Sequence, residues 1–307
     1  MIREYALQPE VVASWFERKQ FGLFVQQFGF GTGRIVSRYP DKWRELVWKA
    51  FEANFGKTSG ETDKTRMIEL LKQLTSPEIK RLGCLWNDAR DWLTNAESEH
   101  ARKPFHAILA RDNPRTNTKV MCMKDVLSGT PAEWAVPNSI VVARTAESMA
   151  KCVEPMLLCA TKVLLIDPHF RAVKPEFNRP LAKFLRVVRD ANSQISVELH
   201  TADRDEAPNW STFRQECQRH LPSYIPRGMT LIVRRWQNRP NGERLHNRYI
   251  LTDIGGVTFG VGLDEGTQGA TDDVTLLSAP AYSQRLGDYA GPAYAFDLEG
   301  EVKIMGR

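Results

Sequence analysis

Gly242-Glu243-Arg244-Leu245-His246-Asn247-Arg248-Tyr249-Ile250-Leu251-Thr252-Asp253 is the stretch with the most chemistry in the chain. Leu245, Tyr249 and Leu251 supply one apolar face of a strand, and His246 and Arg248, two residues apart, project together from the other. An imidazole beside a guanidinium suits phosphate chemistry. The ring attacks or moves a proton, and the planar fork neutralises phosphate oxygens. Asp253 ends the strand, where a carboxylate can orient a ring or complete an ion network. Thr252-Asp253-Ile254-Gly255-Gly256 then reads as a hairpin turn into a second strand, Val257 to Val261.

Upstream, short apolar runs alternate with helical periodicity. Ser139–Ala143, Val163–Ile166, Ile195–Leu199 and Met229–Trp236 read as strands. Between the strands, Ala146 to Leu157, Leu181 to Val188 and Asn209 to His220 read as helices. Alternation ending in a hairpin predicts an α/β sandwich with a mixed sheet. Ligands in such folds bind outside the carboxyl ends of parallel strands. His169, after Asp167-Pro168, and His200 are therefore expected to flank the same crevice as His246. Arg235 and Arg244, with Arg234 and Arg239 nearby, extend a phosphate-binding groove. Asp264 and Glu265 follow the last strand as further candidates.

The first 135 residues read as mostly helical. Trp43, Leu46, Val47, Ala50 and Phe51 follow Asp41 as a cap, and Ile68, Leu71 and Leu74 form another stripe. Ile79, Leu82, Trp86, Ala89 and Leu93 continue it after Ser76-Pro77. Gly29-Phe30-Gly31-Thr32-Gly33 is glycine-rich, but no helix start follows it, so a turn is expected rather than a dinucleotide loop. Pro131 to Pro137 marks a junction, giving an N-terminal recognition or interaction domain over 1–135 and a second domain over 136–307.

Composition narrows the classes. Lys and Arg total 42 against 37 Asp and Glu, a net charge of +5, which is too mild to decide a nucleic-acid partner by itself. The charge is uneven: residues 151–260 carry 17 basic and 11 acidic side chains, and 261–307 carry 3 and 8. No apolar run is long enough for a membrane span, and the charged start lacks a signal-peptide core. Five cysteines without a C-x-x-C pair point to a reduced, cytoplasmic setting and away from a cysteine zinc site.

His246-x-Arg248-x4-Asp253 resembles the H-x-K-x4-D signature of the phospholipase D superfamily, with Arg in place of Lys. Gly260 falls at the glycine of the family's following strand, while its Ser and Asn positions are Val261 and Leu263. The resemblance implies a phospholipase D-like α/β domain and a phosphodiesterase, most simply a nuclease of a bacterial defence or DNA-processing system. It implies His246 as nucleophile, Arg248 as phosphate clamp and Asp253 as support, with neither metal nor cofactor. The family's full site uses two such motifs, so one motif per chain implies a homodimer. Nucleic acid is the expected substrate, with partner proteins in a larger complex possible. The alternative is a catalytically degenerate module that binds nucleic acid or anionic lipid head groups, or scaffolds partner proteins.

Overall fold

The computed structural model describes residues 1–307 except 77, 82, 130, 192–194 and 205–206. The chain divides into two compact units, Ile2–Pro137 and Asn138–Arg307, the latter with Met1.

The N-terminal unit runs β1 (Arg3–Leu7), α1 (Pro9–Ala13), α2 (Arg18–Phe24), β2 (Arg34–Arg38), α3 (Trp43–Phe55), α4 (Glu61–Thr75) and β3 (Glu78–Lys80). It continues with α5 (Trp92–Arg102), β4 (Ala107–Ala110), β5 (Val120–Cys122) and α6 (Met123–Ser128). Its strands form one sheet in the order β3-β2-β1-β4-β5, with every pairing parallel. This corrects the mostly helical expectation. The strands are only three to five residues long. The central ones are also covered on both faces, so they show no polar alternation to announce them. Tyr5, Leu7, Ala107 and Leu109 pack into one core with Val47, Phe51 and Leu70. Ala6, Ile108 and Ala110 turn the other way, onto Trp92 and Ala96.

The expected helix from Ile79 to Leu93 is also corrected. Glu78–Lys80 is strand, and the helix begins at Trp92, where the Asp91 side chain accepts the Thr94 amide at 2.9 Å. Pro77 and Leu82, on which that expectation partly rested, lie outside the described residues. Asp41 pairs with Arg38 at 3.1 Å and does not cap α3.

The C-terminal unit runs β6 (Ser139–Ala143), α7 (Ala146–Cys159), β7 (Lys162–Ile166), α8 (Pro175–Ala191), β8 (Ser196–Ala202), α9 (Trp210–His220) and β9 (Thr230–Gln237). Then come β10 (Arg248–Thr252), β11 (Gly256–Phe259), β12 (Thr271–Leu276), α10 (Ala279–Ala290) and β13 (Asp297–Met305). The eight strands make one mixed sheet, β13-β9-β8-β7-β10-β11-β12-β6. Its centre, β7-β8-β9, is parallel, and the flanking pairs are antiparallel. Strand parity divides the two faces. Leu164, Ile166, Tyr249 and Leu251 pack with Tyr289 of α10. Leu165 and Leu199 meet Leu181 and Phe184 of α8 on the opposite face. The unit is therefore an α/β sandwich with helices on both sides of the sheet.

Candidate functional site

β7 and β10 run antiparallel with Ile166 opposite Tyr249. One residue further, Asp167 comes opposite Arg248, on the face away from α10. A cleft of ≈ 1520 Å³ opens here, at the carboxyl ends of β7, β8 and β9. His246, Arg248, Arg244, His169, Asp264, Asp167 and Arg144 all border it. Its described lining holds eight Arg and Lys against four Asp and Glu, a net positive formal charge.

His246 is exposed and precedes β10 rather than lying on it. The strand starts later than expected because β7 stops at Ile166, and the ladder has no partner beyond Arg248. Among the described residues His246 has no hydrogen-bond partner, and no carboxylate orients its ring. Leu245 is buried beside it, and its amide donates to Asn238 Oδ1 at 2.9 Å. The His169 amide donates to Asp167 Oδ1 at 2.8 Å, and its ring meets the Arg204 guanidinium. Arg248 is half-buried, and its buried Nε has no partner among the described residues.

Asp167 is the site residue that the sequence reading undervalued. Burial pushes its carboxyl up to about 7, against the pull of the Leu263 amide and of Arg248. The Leu263 amide donates to Oδ2 at 2.8 Å. Its sequence signal was an aspartate directly after a buried strand, at the ligand-binding end of the sheet. Arg144, directly after β6, was missed altogether. Its guanidinium donates to Asp264 Oδ1 at 2.6 Å and to the Asp264 carbonyl at 3.2 Å. Gly262 permits this close approach, since a Cβ there would lie 2.3 Å from Asp264 Oδ1.

Four expected site residues lie elsewhere or are committed to structural partners. Asp253 follows β10 at the end opposite His246, roughly 17 Å from Arg248 at about 3.3 Å per strand residue. It accepts the Thr161 amide at 2.8 Å, the Thr161 hydroxyl at 2.6 Å and the Lys162 amide at 3.2 Å. His200 lies within β8 beside Ile166, so parity turns it onto the α10 face, away from Arg248. It is fully buried and stacked on Trp236, whose Nε1 donates to His200 Nδ1 at 2.9 Å. An indole only donates, so His200 carries its proton on Nε2 and gives it to Glu198 at 3.2 Å. Arg235 borders the cleft but is buried and committed. It forms two bonds to the Glu299 carboxylate and a third to the Pro208 carbonyl at 2.6 Å. Glu265 accepts the Ala146 amide at 2.9 Å, at the start of α7, and pairs with Arg179.

At the positions of the family's Ser and Asn, Val261 is exposed and Leu263 is buried. The backbone donors of this loop are already engaged, with the Val261 amide on Asp272 at 3.0 Å and the Leu263 amide on Asp167. Among the described residues no three His, Cys, Asp or Glu side chains converge as a metal site. No described helix is long and apolar enough to cross a membrane.

No family model matches the chain, and no curated protein matches it. Among solved structures, TrmBL2, an archaeal chromatin protein whose structure shows a novel mode of DNA binding, aligns over 92% of this chain and 91% of its own. The identity is 10% and the TM-score 0.25, a likeness that carries no argument about fold or function.

Proposed function

We propose that the C-terminal unit is a phospholipase D-like module whose cleft seats a phosphodiester of nucleic acid, with His246 attacking the phosphorus. The observation that carries this reading is the convergence of exposed His246 with Arg248, Arg244 and Arg144 on one positive cleft. In the reaction, an imidazole nitrogen forms a P–N bond while the P–O bond to the leaving nucleoside breaks. The leaving oxygen takes a proton from a second histidine, supplied by another copy of the chain in a homodimer. Water, losing a proton to that second histidine, then cleaves the P–N bond, returns a phosphomonoester and restores both rings. The arginines offset the charge of the pentacovalent state.

The second reading is binding without cleavage, to nucleic acid or to anionic lipid head groups. It is favoured by the lack of a described group orienting His246 and by the apolar side chains of Val261 and Leu263. A cleavage assay on DNA and RNA in EDTA, with wild type and His246→Ala, separates the two. Cleavage that persists in EDTA and disappears in the variant supports the first reading. Retained oligonucleotide binding with no cleavage by either protein supports the second, and flotation with anionic vesicles tests its lipid form.

A further inference from the structure

Arg144 and Arg248 approach the cleft from the turn after β6 and the start of β10, and they share one defect. Each has a buried Nε–H with no hydrogen-bond partner among the described residues. A buried donor left unpaired is destabilising, so two in one cleft call for an acceptor. The nearby carboxylates bind other donors. Asp167 accepts the His169 and Leu263 amides, one on each oxygen, and Asp264 Oδ1 holds the Arg144 terminal nitrogen. The Asp264 bond holds Arg144 in place, and neither Nε is satisfied.

We infer that Arg144 and Arg248 form a two-guanidinium seat for a single phosphate group, an assignment that rests on the phosphate-binding reading of the cleft and pairs these two of its arginines on one phosphate. Each guanidinium presents donors along two edges, which matches the spread of oxygens on a tetrahedral oxyanion. A compact ammonium cannot supply the same fork.

The test uses the full-length chain and inorganic phosphate. In a wild-type arginine Nε–H NMR titration, two signals are expected to shift and sharpen together as phosphate is added. Arg144→Lys keeps a cation for Asp264 but deletes the Nε donor. It and Arg248→Lys are each expected to weaken phosphate binding about ten-fold or more by calorimetry, with the unliganded melting temperature held. Unperturbed Nε–H signals in the wild type overturn the seat, as does wild-type affinity in Arg144→Lys, even if the wild type cleaves nucleic acid. Phosphate binding that depends on both arginines, in a protein that cleaves nothing, upholds the seat while removing the His246 chemistry. The NMR arm decides the matter if a variant does not fold.

Discussion

Replacing Arg248 with alanine probes the cleft most directly, because the structure limits which cations are available to a polyanion. Of the basic side chains on the lining, Arg235 is bound to Glu299 and Arg239 to Asp297. Lys174 lies 3.7 Å from Glu176, Arg204 meets His169, and Arg171 has a partner of its own. Among the described residues this leaves Arg244, Arg248 and the free edge of Arg144 to meet phosphates. Three contacts to a single strand predict a slope of log affinity against log salt of about −2, at roughly −0.7 per phosphate. Removing Arg248 lowers it to about −1.4. Losing a charge-assisted hydrogen bond worth about 1.5–3 kcal/mol weakens binding roughly 10- to 100-fold. Fluorescence anisotropy with a labelled oligonucleotide, between about 50 and 300 mM salt, reads both quantities. Wild-type slope and affinity in Arg248→Ala refute the assignment of the cleft as a phosphate site.

Asp253→Ala is expected to lower stability by about 1–2 kcal/mol, since it unties the start of β7, while oligonucleotide affinity stays at the wild-type value. Thermal melting and anisotropy on one sample check both. Arg81, fully buried between Glu4 and Glu99, predicts a larger effect: Arg81→Met leaves the buried Glu99 short of a partner and costs about 3–5 kcal/mol, measurable by urea unfolding. Burial alone would raise the Glu198 carboxyl, but His200, Arg234 and Lys162 hold it down at about 2. A depressed carboxyl contributes stability above its unfolded pKa that disappears as pH falls through the folded one. Wild type should therefore lose stability between about pH 4.3 and pH 2, and Glu198→Gln should show a flatter profile in acid titration followed by circular dichroism.

Much of the C-terminal unit is legible in the chain itself. Its strands are runs such as Val163–Ile166, and His246-x-Arg248 marks the cleft without help from any distant residue. The N-terminal sheet is not legible. Ala107-Ile108-Leu109-Ala110 is apolar on both faces, so its periodicity does not separate strand from helix, and only the parallel neighbours on each side make it a strand.

The same limit governs the site. Local sequence determined which residues are able to do phosphate chemistry, because that depends on the functional group alone. Sheet register decided which of them meet. Parity turned His200 to the far face, strand length carried Asp253 to the wrong end, and Glu299 captured Arg235. Antiparallel pairing of Ile166 with Tyr249 leads Asp167 toward Arg248, and bonds to the loop around Asp264 bring Arg144 in from the end of β6. Contacts between residues so far apart along the chain arise from long-range strand pairing, and no local pattern encodes that.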